Sequence, residues 1–400
     1  MPIDRLKDLL VVPRIYVYAT GAGAGIQKKI WEVPGCSSFL VGCSFPYATT
    51  QTSKCLGFTP EKSVSTDTAI ELAIAAYLQA YEPGSKSIGI GLTASVASVK
   101  THRGAHRIIV SSFSETECLT ATIEIPKGCG LAQRFTDGEL SDSIGITAIL
   151  RAAHILDNDQ IWSPIYEGTN SENVASERII NYIFKYLPVD TTERAKELIL
   201  KNSFFQANGS RVPVNAIDTN KIVFYPGSFN PFHFGHDLGA EAIKKTIAKK
   251  FGECRDIVYT TVVNPLHKPP LTVAEMLNRV SIMKGKNFCL TIDDPLFIDK
   301  ARCHPGAWFG MGADTLLNML DPKWGYLPRD LILEFQKLNI KIFVLGRLIK
   351  GHFITLSYLK DIYPDLNMIS TSWDDIFIEI PGRWDISSTE IRNRFENEGK

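Results

Sequence analysis

The stretch Gly227-Ser228-Phe229-Asn230-Pro231-Phe232-His233-Phe234-Gly235-His236 decides the fold of the C-terminal half of this chain. The apolar run 222–225 before it predicts a buried parallel strand, and residues 237–250 after it carry apolar side chains at helical spacing. The stretch is therefore a turn that leads from a strand into a helix. In an open parallel sheet, ligands bind at this end of a strand, and the helix start offers free N–H groups that suit a phosphate.

Two imidazoles stand at the start of this helix. His233 and His236 lie one helical turn apart, with Gly235 between them. Imidazole donates hydrogen bonds to phosphate oxygens and can carry charge near neutral pH. Gly235 lacks the Cβ that would block a close approach. The pattern predicts that both histidines contact a phosphate-bearing ligand.

At these residues the sequence resembles the HxGH nucleotidyltransferases. The form Gly-Ser-Phe-Asn-Pro-x-His-x-Gly-His is similar to their nicotinamide/nicotinate mononucleotide adenylyltransferase branch. The resemblance covers residues 221–395 and implies a Rossmann-like, doubly wound parallel sheet. It implies a catalytic role for His233 and His236. It also implies nucleotide binding by the residues that open the motif, which are Gly227, Ser228, Phe229 and Asn230.

A second motif near the C-terminus supports this resemblance. Residues 386–392, Ile-Ser-Ser-Thr-Glu-Ile-Arg, match the family's ISSTxIR signature. A serine there would cap a new helix, and the hydroxyls and the guanidinium would form an anion site. The residues expected to hold the β- and γ-phosphates of ATP are Ser387, Ser388, Thr389 and Arg392. Two anion sites brought together by the fold would suit a triphosphate.

Further candidate nucleotide contacts follow the other predicted strands. Lys268 comes after the strand 257–263, where the family has a phosphate-binding lysine, although a solvated loop lysine is the alternative. Gly312 and Asp314 resemble the family's G-x-D segment, in which the aspartate binds a ribose or a ring substituent. Gly312 would let the backbone approach the nucleotide. Asp314 also suits the N-cap of the helix that follows.

Two more residues complete the expected site. Trp324 falls where the family has an aromatic side chain that stacks on the pyridine ring, and such stacking would favour a cationic pyridinium. Packing in the core is the alternative for this tryptophan. Arg347 ends the predicted strand 342–347 on the ligand side of the sheet and would contact phosphate.

Composition indicates a globular chain with two domains. The chain has 400 residues, of which 44% are hydrophobic and 22% charged. Lys+Arg and Asp+Glu both number 43, and the zero net charge argues against bulk nucleic-acid binding. No apolar run reaches about 18 residues, so we expect no membrane span, and the charged start is unlike a secretory signal. The eight cysteines form no C-x-x-C pair, which predicts reduced, mostly buried thiols in a cytoplasmic protein.

The N-terminal half also begins with a strand, a Gly-rich turn and a helix, at residues 14–20, 21–25 and 26–31. Such a turn can bind a phosphate, although the pattern alone has little specificity. A helix at 66–81, three strand-like runs and a closing helix at 141–156 follow. These elements predict a second α/β domain.

This order resembles the C-terminal domain of the competence-damage-inducible protein CinA, a family that includes nicotinamide mononucleotide deamidases. The likeness spans residues 12–157 and includes the Gly-rich turn, a Pro-Gly-x-Ser-Ser segment and Tyr47. Thr20 stands where the family has its catalytic serine, so Thr20 and Tyr47 mark an N-terminal candidate site. Threonine could act as a nucleophile, but its methyl group crowds the attack. Without that chemistry the domain would be a scaffold, a homo-oligomer interface or a nucleotide sensor.

The predicted architecture is α/β with two domains. Residues 1–157 form the CinA-like domain, and residues 221–400 form the nucleotidyltransferase domain. Residues 158–220 are interpreted as a helical connector, with helices over 176–187 and 191–202.

The resemblances imply an adenylyltransferase of NAD biosynthesis. The phosphate of nicotinamide or nicotinate mononucleotide would attack the α-phosphorus of ATP, and pyrophosphate would leave. Mg²⁺ would be held by phosphates and water, with no protein metal site. Alternatives that keep the fold are a cytidylyltransferase and a pantetheine-phosphate adenylyltransferase. The others are a nucleotide sensor without turnover and a bifunctional enzyme whose N-terminal domain deamidates the mononucleotide.

Overall fold

The chain divides into two compact units, each with its own sheet. One unit takes in Met1–Lys201 and Thr272–Ser281, and the other takes in Asn202–Leu271 and Ile282–Lys400. The computed structural model describes residues 2–100, 103–156, 188–266, 268–292, 294–349, 351–362 and 370–384. Both units are of the expected α/β class.

The first unit is built on a mixed six-stranded sheet with the order β2-β1-β3-β4-β5-β6. β1 runs parallel to β2 and β3, whereas β3 to β6 are antiparallel neighbours. The elements in chain order are β1 (Arg14–Thr20), α1 (Ile26–Trp31), β2 (Leu40–Ser44), α2 (Thr49–Leu56), α3 (Thr66–Ala80), β3 (Ser87–Ser95), β4 (His106–Phe113), β5 (Cys118–Ile125), α4 (Leu131–Ala152), β6 (Val189–Asp190) and α5 (Thr192–Lys201).

Helix α3 packs directly on the backbone of this sheet. Ser65 caps the helix, because its side-chain oxygen accepts the N–H of Thr68 at 3.2 Å. On β3, a Cβ at Gly89 would lie 2.1 Å from the carbonyl oxygen of Ala73, so only glycine allows this approach. The face predicted from the sequence is fully buried and consists of Ile70, Ala73, Ile74 and Tyr77.

The second unit contains the candidate site and a nine-stranded sheet. Its elements in chain order are β7 (Phe204–Phe205), β8 (Arg211–Val212), β9 (Ile222–Pro226), α6 (Phe234–Phe251), β10 (Asp256–Val262), β11 (Phe288–Thr291), α8 (Phe297–Cys303), β12 (Trp308–Gly312), α9 (Ala313–Met319), α10 (Pro328–Lys337), β13 (Lys341–Ile349), β14 (His352–Ile354), α11 (Leu356–Ile362), α12 (Ser370–Ile376) and β15 (Phe377–Trp384). Helix α7 (Val273–Ile282) comes between β10 and β11 in the chain, and most of it groups with the first unit.

The strand order of the second sheet reverses beside β9. The order is β14-β13-β12-β9-β10-β11-β7-β8, with β15 paired to β13. Strands β9 to β13 and β15 are parallel, whereas β14, β7 and β8 pair antiparallel. The chain therefore runs outward from β9 through β10 and β11, and then returns to the other side of β9 for β12 and β13. A crevice for ligands opens at the carboxyl ends of β9 and β12. This is the predicted doubly wound sheet.

Most predicted elements are present with shifted ends. Helix α4 differs most, because it begins at Leu131, ten residues before the predicted start at 141. In its first turns Leu131 and Phe135 are exposed and Asp137 is buried, so the buried face carries no apolar periodicity in the sequence. Among the described residues, no helix is long and apolar enough to cross a membrane.

The predicted connector divides between the two units in its described part. Strand β6 pairs with β5, and α5 also belongs to the first unit. Strands β7 and β8 belong to the second sheet. The predicted helix over 176–187 lies outside the described residues, and the domain boundaries at 157 and 220 stay predictions.

All eight cysteines carry free thiols. Only Cys118 and Cys289 are buried, so the expectation of mostly buried thiols is wrong. Cys129, Cys254 and Cys303 are exposed, because they lie in or beside loops or at a helix end.

We expect Gly89→Ala to destabilise the first unit by at least about 2 kcal/mol, because overpacking against a backbone is not relieved by a rotamer change. Its Cβ would lie 2.2 Å from the backbone nitrogen of Tyr77. Hydrogen exchange of the α3 amides measures the effect. The matched control is Gly138→Ala inside α4, where the Cβ position is open, so stability should stay equal or rise by up to about 1 kcal/mol. Equal α3 protection in the two variants would contradict the close contact.

Candidate active site

The turn after β9 is fixed to the end of β10. The N–H of Gly227 donates to the carbonyl oxygen of Thr260 at 2.9 Å, and the Thr261 hydroxyl donates to the carbonyl oxygen of Gly227 at 2.9 Å. Phe229 is buried beneath the turn and has a positive φ of 45°. A Cβ on Gly227 would lie 2.8 Å from the Phe229 ring. Gly227 and Phe229 therefore shape the turn, while Ser228 is exposed at its surface. Asn230 is exposed there as well.

The two histidines form a stacked pair at the start of α6. Their ring centroids lie 3.8 Å apart, with 27° between the planes. His233 is the N-cap residue, and its backbone N–H donates to Nδ1 of His236 at 3.2 Å. Since Nδ1 accepts this bond, the proton of a neutral His236 sits on Nε2. His236 thus presents an N–H donor beside the helix N-terminus.

His233 is a buried histidine whose ring nitrogens are unsatisfied within the described residues. Its exposed fraction is 9%, and neither Nδ1 nor Nε2 has a hydrogen-bond partner there. Buried polar atoms nearly always have a partner, so such atoms call for an explanation. A ligand oxygen at the helix N-terminus would supply it.

Both imidazoles are neutral at pH 7. Burial, together with the nearby His233 and the charge of Arg347, lowers the pKa of His236 to about 3. Burial and the charge of Arg347 also lower the pKa of His233. Of these causes, the positive charge of Arg347 is the one that favours an anionic ligand, because burial alone opposes charge of either sign.

Arg347 and Asp314 meet at the carboxyl ends of β12 and β13. The Arg347 Nε lies 3.5 Å from Oδ1 of Asp314. A Cβ on Gly312 would lie 2.3 Å from that oxygen, so glycine leaves room for the carboxylate. The N-cap of α9 is Gly312, and Asp314 stands in its first turn. The alternative of Asp314 as the N-cap is wrong, because the helix begins earlier than its apolar pattern indicates.

A cavity of about 310 Å³ lies beside the end of β10 and helix α9, and Lys268 and Trp324 both line it. Trp324 is half-buried, and its Nε1–H donates to the carbonyl oxygen of Asn318 at 2.7 Å. The ammonium of Lys323 lies 5.2 Å from the centroid of the indole ring. Trp324 is therefore not a core residue, and Lys268 lines a cavity although it is exposed.

Sequence reasoning missed three residues that line this cavity: Phe297, Asn318 and Tyr326. Asn318 lies one helical turn after Asp314, and this spacing is the signal that could have identified it. Phe297 and Tyr326 give no local signal, because each looks like an ordinary core aromatic.

Part of the expected site cannot be placed on the fold. Ser387, Ser388, Thr389 and Arg392 lie outside the described residues, so their meeting with His236 stays a prediction. Within the described residues, no group of three or more His, Cys, Asp or Glu side chains is arranged to hold a metal ion.

Thr20 and Tyr47 lie near each other in the first unit. The Thr20 hydroxyl donates to the carbonyl oxygen of Pro46 at 3.1 Å, and Thr52 donates to the same oxygen at 2.8 Å. Tyr47 is exposed, and its hydroxyl lies 3.3 Å from a guanidinium nitrogen of Arg134. A carbonyl oxygen is no general base, so this geometry gives Thr20 no activation as a nucleophile.

The Gly-rich turn of the first unit is occupied by a carboxylate. The N–H of Gly25 donates to Oδ1 of Asp142 at 3.0 Å. Burial raises the pKa of Asp142 to about 6. The protein's own side chain therefore takes the position that a phosphate would need at the start of α1, and the expectation of a phosphate-binding turn is not supported.

Comparison with known families separates the two halves of the chain. Residues 224–394 match the cytidylyltransferase-like family. This cytidylyltransferase-like domain spans less than half of the chain. It contains the HxGH motif at residues 233–236. It is therefore a domain of the nucleotidyltransferase superfamily. A comparison with curated proteins found no match.

Solved structures similar to this chain come from the CinA superfamily and cover its N-terminal part. One is the CinA superfamily protein of Escherichia coli, with 12% identity, 37% of this chain and 83% of that chain covered, and a TM-score of 0.29. Another is the competence or damage-inducible protein of Enterobacter asburiae, with 19% identity, 37% and 91% coverage, and a TM-score of 0.29.

The histidine pair should make the second unit sensitive to acid. An unfolded histidine with a pKa of about 6.5 takes up a proton between pH 7.5 and 5.5, whereas folded His236, with its pKa lowered to about 3, does not. The stability contributed by this group is present above pH 6.5 and is lost as the pH falls. We expect wild type to lose about 1 kcal/mol more than His236→Asn over this interval in urea unfolding of the second unit. Equal losses would contradict the buried, neutral state of His236.

Proposed function

We propose that the cytidylyltransferase-like domain is a nicotinamide or nicotinate mononucleotide adenylyltransferase. It would transfer AMP from ATP to the mononucleotide and release pyrophosphate, giving NAD or its deamido form. The observation that carries the proposal is the histidine pair at the N-terminus of α6, where His233 keeps two buried ring nitrogens unsatisfied within the described residues. The crevice at the strand-order reversal is where a nucleotide would bind.

The expected roles of the residues follow from charge and hydrogen bonding. A phosphate oxygen of the mononucleotide would form a bond to the α-phosphorus of ATP, while the bond from that phosphorus to the β-phosphate oxygen breaks. The Nε2–H of His236 and the N-terminal N–H groups of α6 would stabilise the charge that develops on the α-phosphate. Arg347, at the end of β13, would supply a positive charge beside them. No side chain would form a covalent intermediate.

The mononucleotide would occupy the cavity beside the end of β10 and helix α9. The volume of about 310 Å³ suits a small ligand. Trp324 would stack on the pyridinium ring, and Lys268 would bind a phosphate. Asp314 would accept hydrogen bonds from the ribose or from the ring substituent. These assignments rest on the family resemblance, and Lys268 and Trp324 both line this cavity.

The triphosphate would have two further partners. Residues 387–389 and Arg392 would hold the β- and γ-phosphates, as the ISSTxIR signature implies. Mg²⁺ bound to ATP would be held by phosphate oxygens and water, and it would neutralise phosphate charge. Chelation of the ion should therefore stop turnover without unfolding the protein.

A second candidate function keeps the same phosphate chemistry with another substrate. The matching family is named for cytidylyl transfer, and a pantetheine phosphate would also fit an adenylyl transfer. The Gly-Ser-Phe-Asn-Pro form and the Gly-Ala-Asp segment at 312–314 favour the pyridine nucleotides instead. A panel of ATP or CTP with each candidate phosphate separates these functions by pyrophosphate release.

We expect wild type to release pyrophosphate with ATP, Mg²⁺ and at least one pyridine mononucleotide. His236→Ala should lower kcat by about 10²- to 10³-fold, because one donor to the developing charge is lost. Coupled pyrophosphate detection and chromatography of the dinucleotide product measure both effects. The matched control is His352→Ala, because His352 is exposed on β14. Turnover with CTP but not with ATP, or full turnover of His236→Ala, would contradict the proposal.

Substitution of Trp324 should change the KM for the mononucleotide rather than the KM for ATP. We expect Trp324→Leu to raise the KM for the mononucleotide about tenfold, because an aromatic–cation contact of about 1–2 kcal/mol is lost. The KM for ATP should stay within about twofold on the same scale. Trp31→Leu is the control, since Trp31 is an exposed tryptophan of the first unit. Equal changes in both KM values would remove Trp324 from the pyridine site.

A further inference from the structure

Four residues form a polar and aromatic cluster beside His236. They are Phe232, Asp237, Tyr259 and Lys286, and none of them has been assigned a role in binding or catalysis. Asp237 directly follows His236 in α6, Tyr259 lies in β10, and Lys286 precedes β11. All four belong to the second unit.

Phe232 is the member of this cluster that contacts the imidazole. Its ring stacks on His236 with 5.0 Å between the centroids and 27° between the planes. The edge of Phe232 meets Tyr259, with centroids 5.3 Å apart and 88° between the planes. Phe229 adds an edge-on contact to His236 at 5.1 Å. Aromatic rings therefore define the plane in which the imidazole can lie.

Lys286 lies over the ring of Phe232. Its ammonium lies 5.0 Å from the centroid of the Phe232 ring, which is a cation–π distance. The same ammonium pairs with Oδ1 of Asp237 at 2.5 Å, and the Tyr259 hydroxyl donates to that oxygen at 3.1 Å. The side chain of Lys286 is 29% exposed, so the charge is partly shielded from solvent. The carboxylate of Asp237 thus links Lys286 and Tyr259, and both of these residues contact the ring of Phe232.

We propose that Lys286 is a positioning residue for His236, acting through Phe232 and Asp237. The proposal rests on the proposed function, in which the Nε2–H of His236 points to the α-phosphate. The hydrogen bond from the backbone N–H of His233 fixes the position of Nδ1 of His236. Stacking on Phe232 fixes the tilt of the imidazole ring. Without the ammonium, Phe232 keeps its apolar contacts but loses the charge that sets its position, and the donor of His236 is no longer aligned.

The expected kinetic signature is a loss of kcat with substrate binding unchanged. None of the four cluster residues lines the cavity that would hold the mononucleotide. A small displacement of a catalytic donor slows the chemical step strongly, and a misplacement of about 1 Å can cost about 10²-fold. A general loss of folding would instead lower the amount of active enzyme and the melting temperature.

The test compares Lys286→Met, Lys286→Arg and Lys244→Met. We expect Lys286→Met to lower kcat about tenfold to a hundredfold, with both KM values and the melting temperature close to wild type. Lys286→Arg keeps the charge over the ring and the pairing with Asp237, so it should restore most of the loss. Lys244→Met is the matched control, because Lys244 lies on α6 and pairs with Asp256 at 3.5 Å, away from the cluster.

A second readout does not depend on turnover. The imidazole proton signals of His236 in the ligand-free protein, assigned through their loss in His236→Asn, report the ring currents of Phe232. They should shift in Lys286→Met and keep the wild-type position in Lys286→Arg and Lys244→Met. If Lys286→Met does not fold, Lys286→Gln provides the same comparison, because it also removes the ammonium and keeps Phe232.

The outcomes separate the two proposals. Unchanged His236 signals, or a fall in kcat that Lys286→Arg does not restore, would overturn the positioning role of Lys286. Shifted signals in a protein that releases no pyrophosphate in any variant, wild type included, would support the positioning of His236 and contradict the proposed function.

Discussion

The reversal of strand order beside β9 is the constraint on which the candidate site depends. Strands β10 and β11 lie on one side of β9, and β12 and β13 lie on the other. The connections after β9 and β12 therefore lead away from each other and leave a crevice between them. The turn 227–236 follows β9, and Gly312 and Asp314 stand at the end of β12. Because the ladder hydrogen bonds of the sheet fix these strand ends, residues distant in sequence share one edge with little freedom to move.

Burial of the histidine pair gives the site its chemical character. Stacking on each other and on aromatic rings removes water from both imidazoles and keeps them neutral, and the nearby Arg347 acts in the same direction. A neutral imidazole still donates a hydrogen bond, and it can gain a proton when a phosphate brings negative charge close. The positive charge of Arg347 and the N–H donors at the helix start therefore favour an anionic ligand. The ordering of these rings by Phe232 and Lys286 belongs to the same arrangement.

Each unit contains a parallel strand followed by a glycine-containing turn and a helix, yet the two helix starts differ. In the first unit the carboxylate of Asp142 accepts the N–H of Gly25, so a negative charge already occupies the start of α1. In the second unit the start of α6 carries His233 and His236, and within the described part of the chain no carboxylate accepts at its N-cap. The same local pattern thus supports an internal packing contact in one unit and a candidate anion site in the other.

The sequence by itself determined the elements and the motif, because both depend on local spacing. Apolar patterns placed β9, β10 and the helices α3, α5 and α6, and the ten residues from Gly227 to His236 placed the histidines at a helix start. The first turns of helix α4 were not predicted, because Leu131 and Phe135 are exposed there and Asp137 is buried. Only the tertiary structure decided which distant residues meet: Gly25 with Asp142, 117 residues apart, and Asp237 with Lys286, 49 residues apart. Such pairs follow from strand order and helix packing, and no local spacing in the chain encodes them.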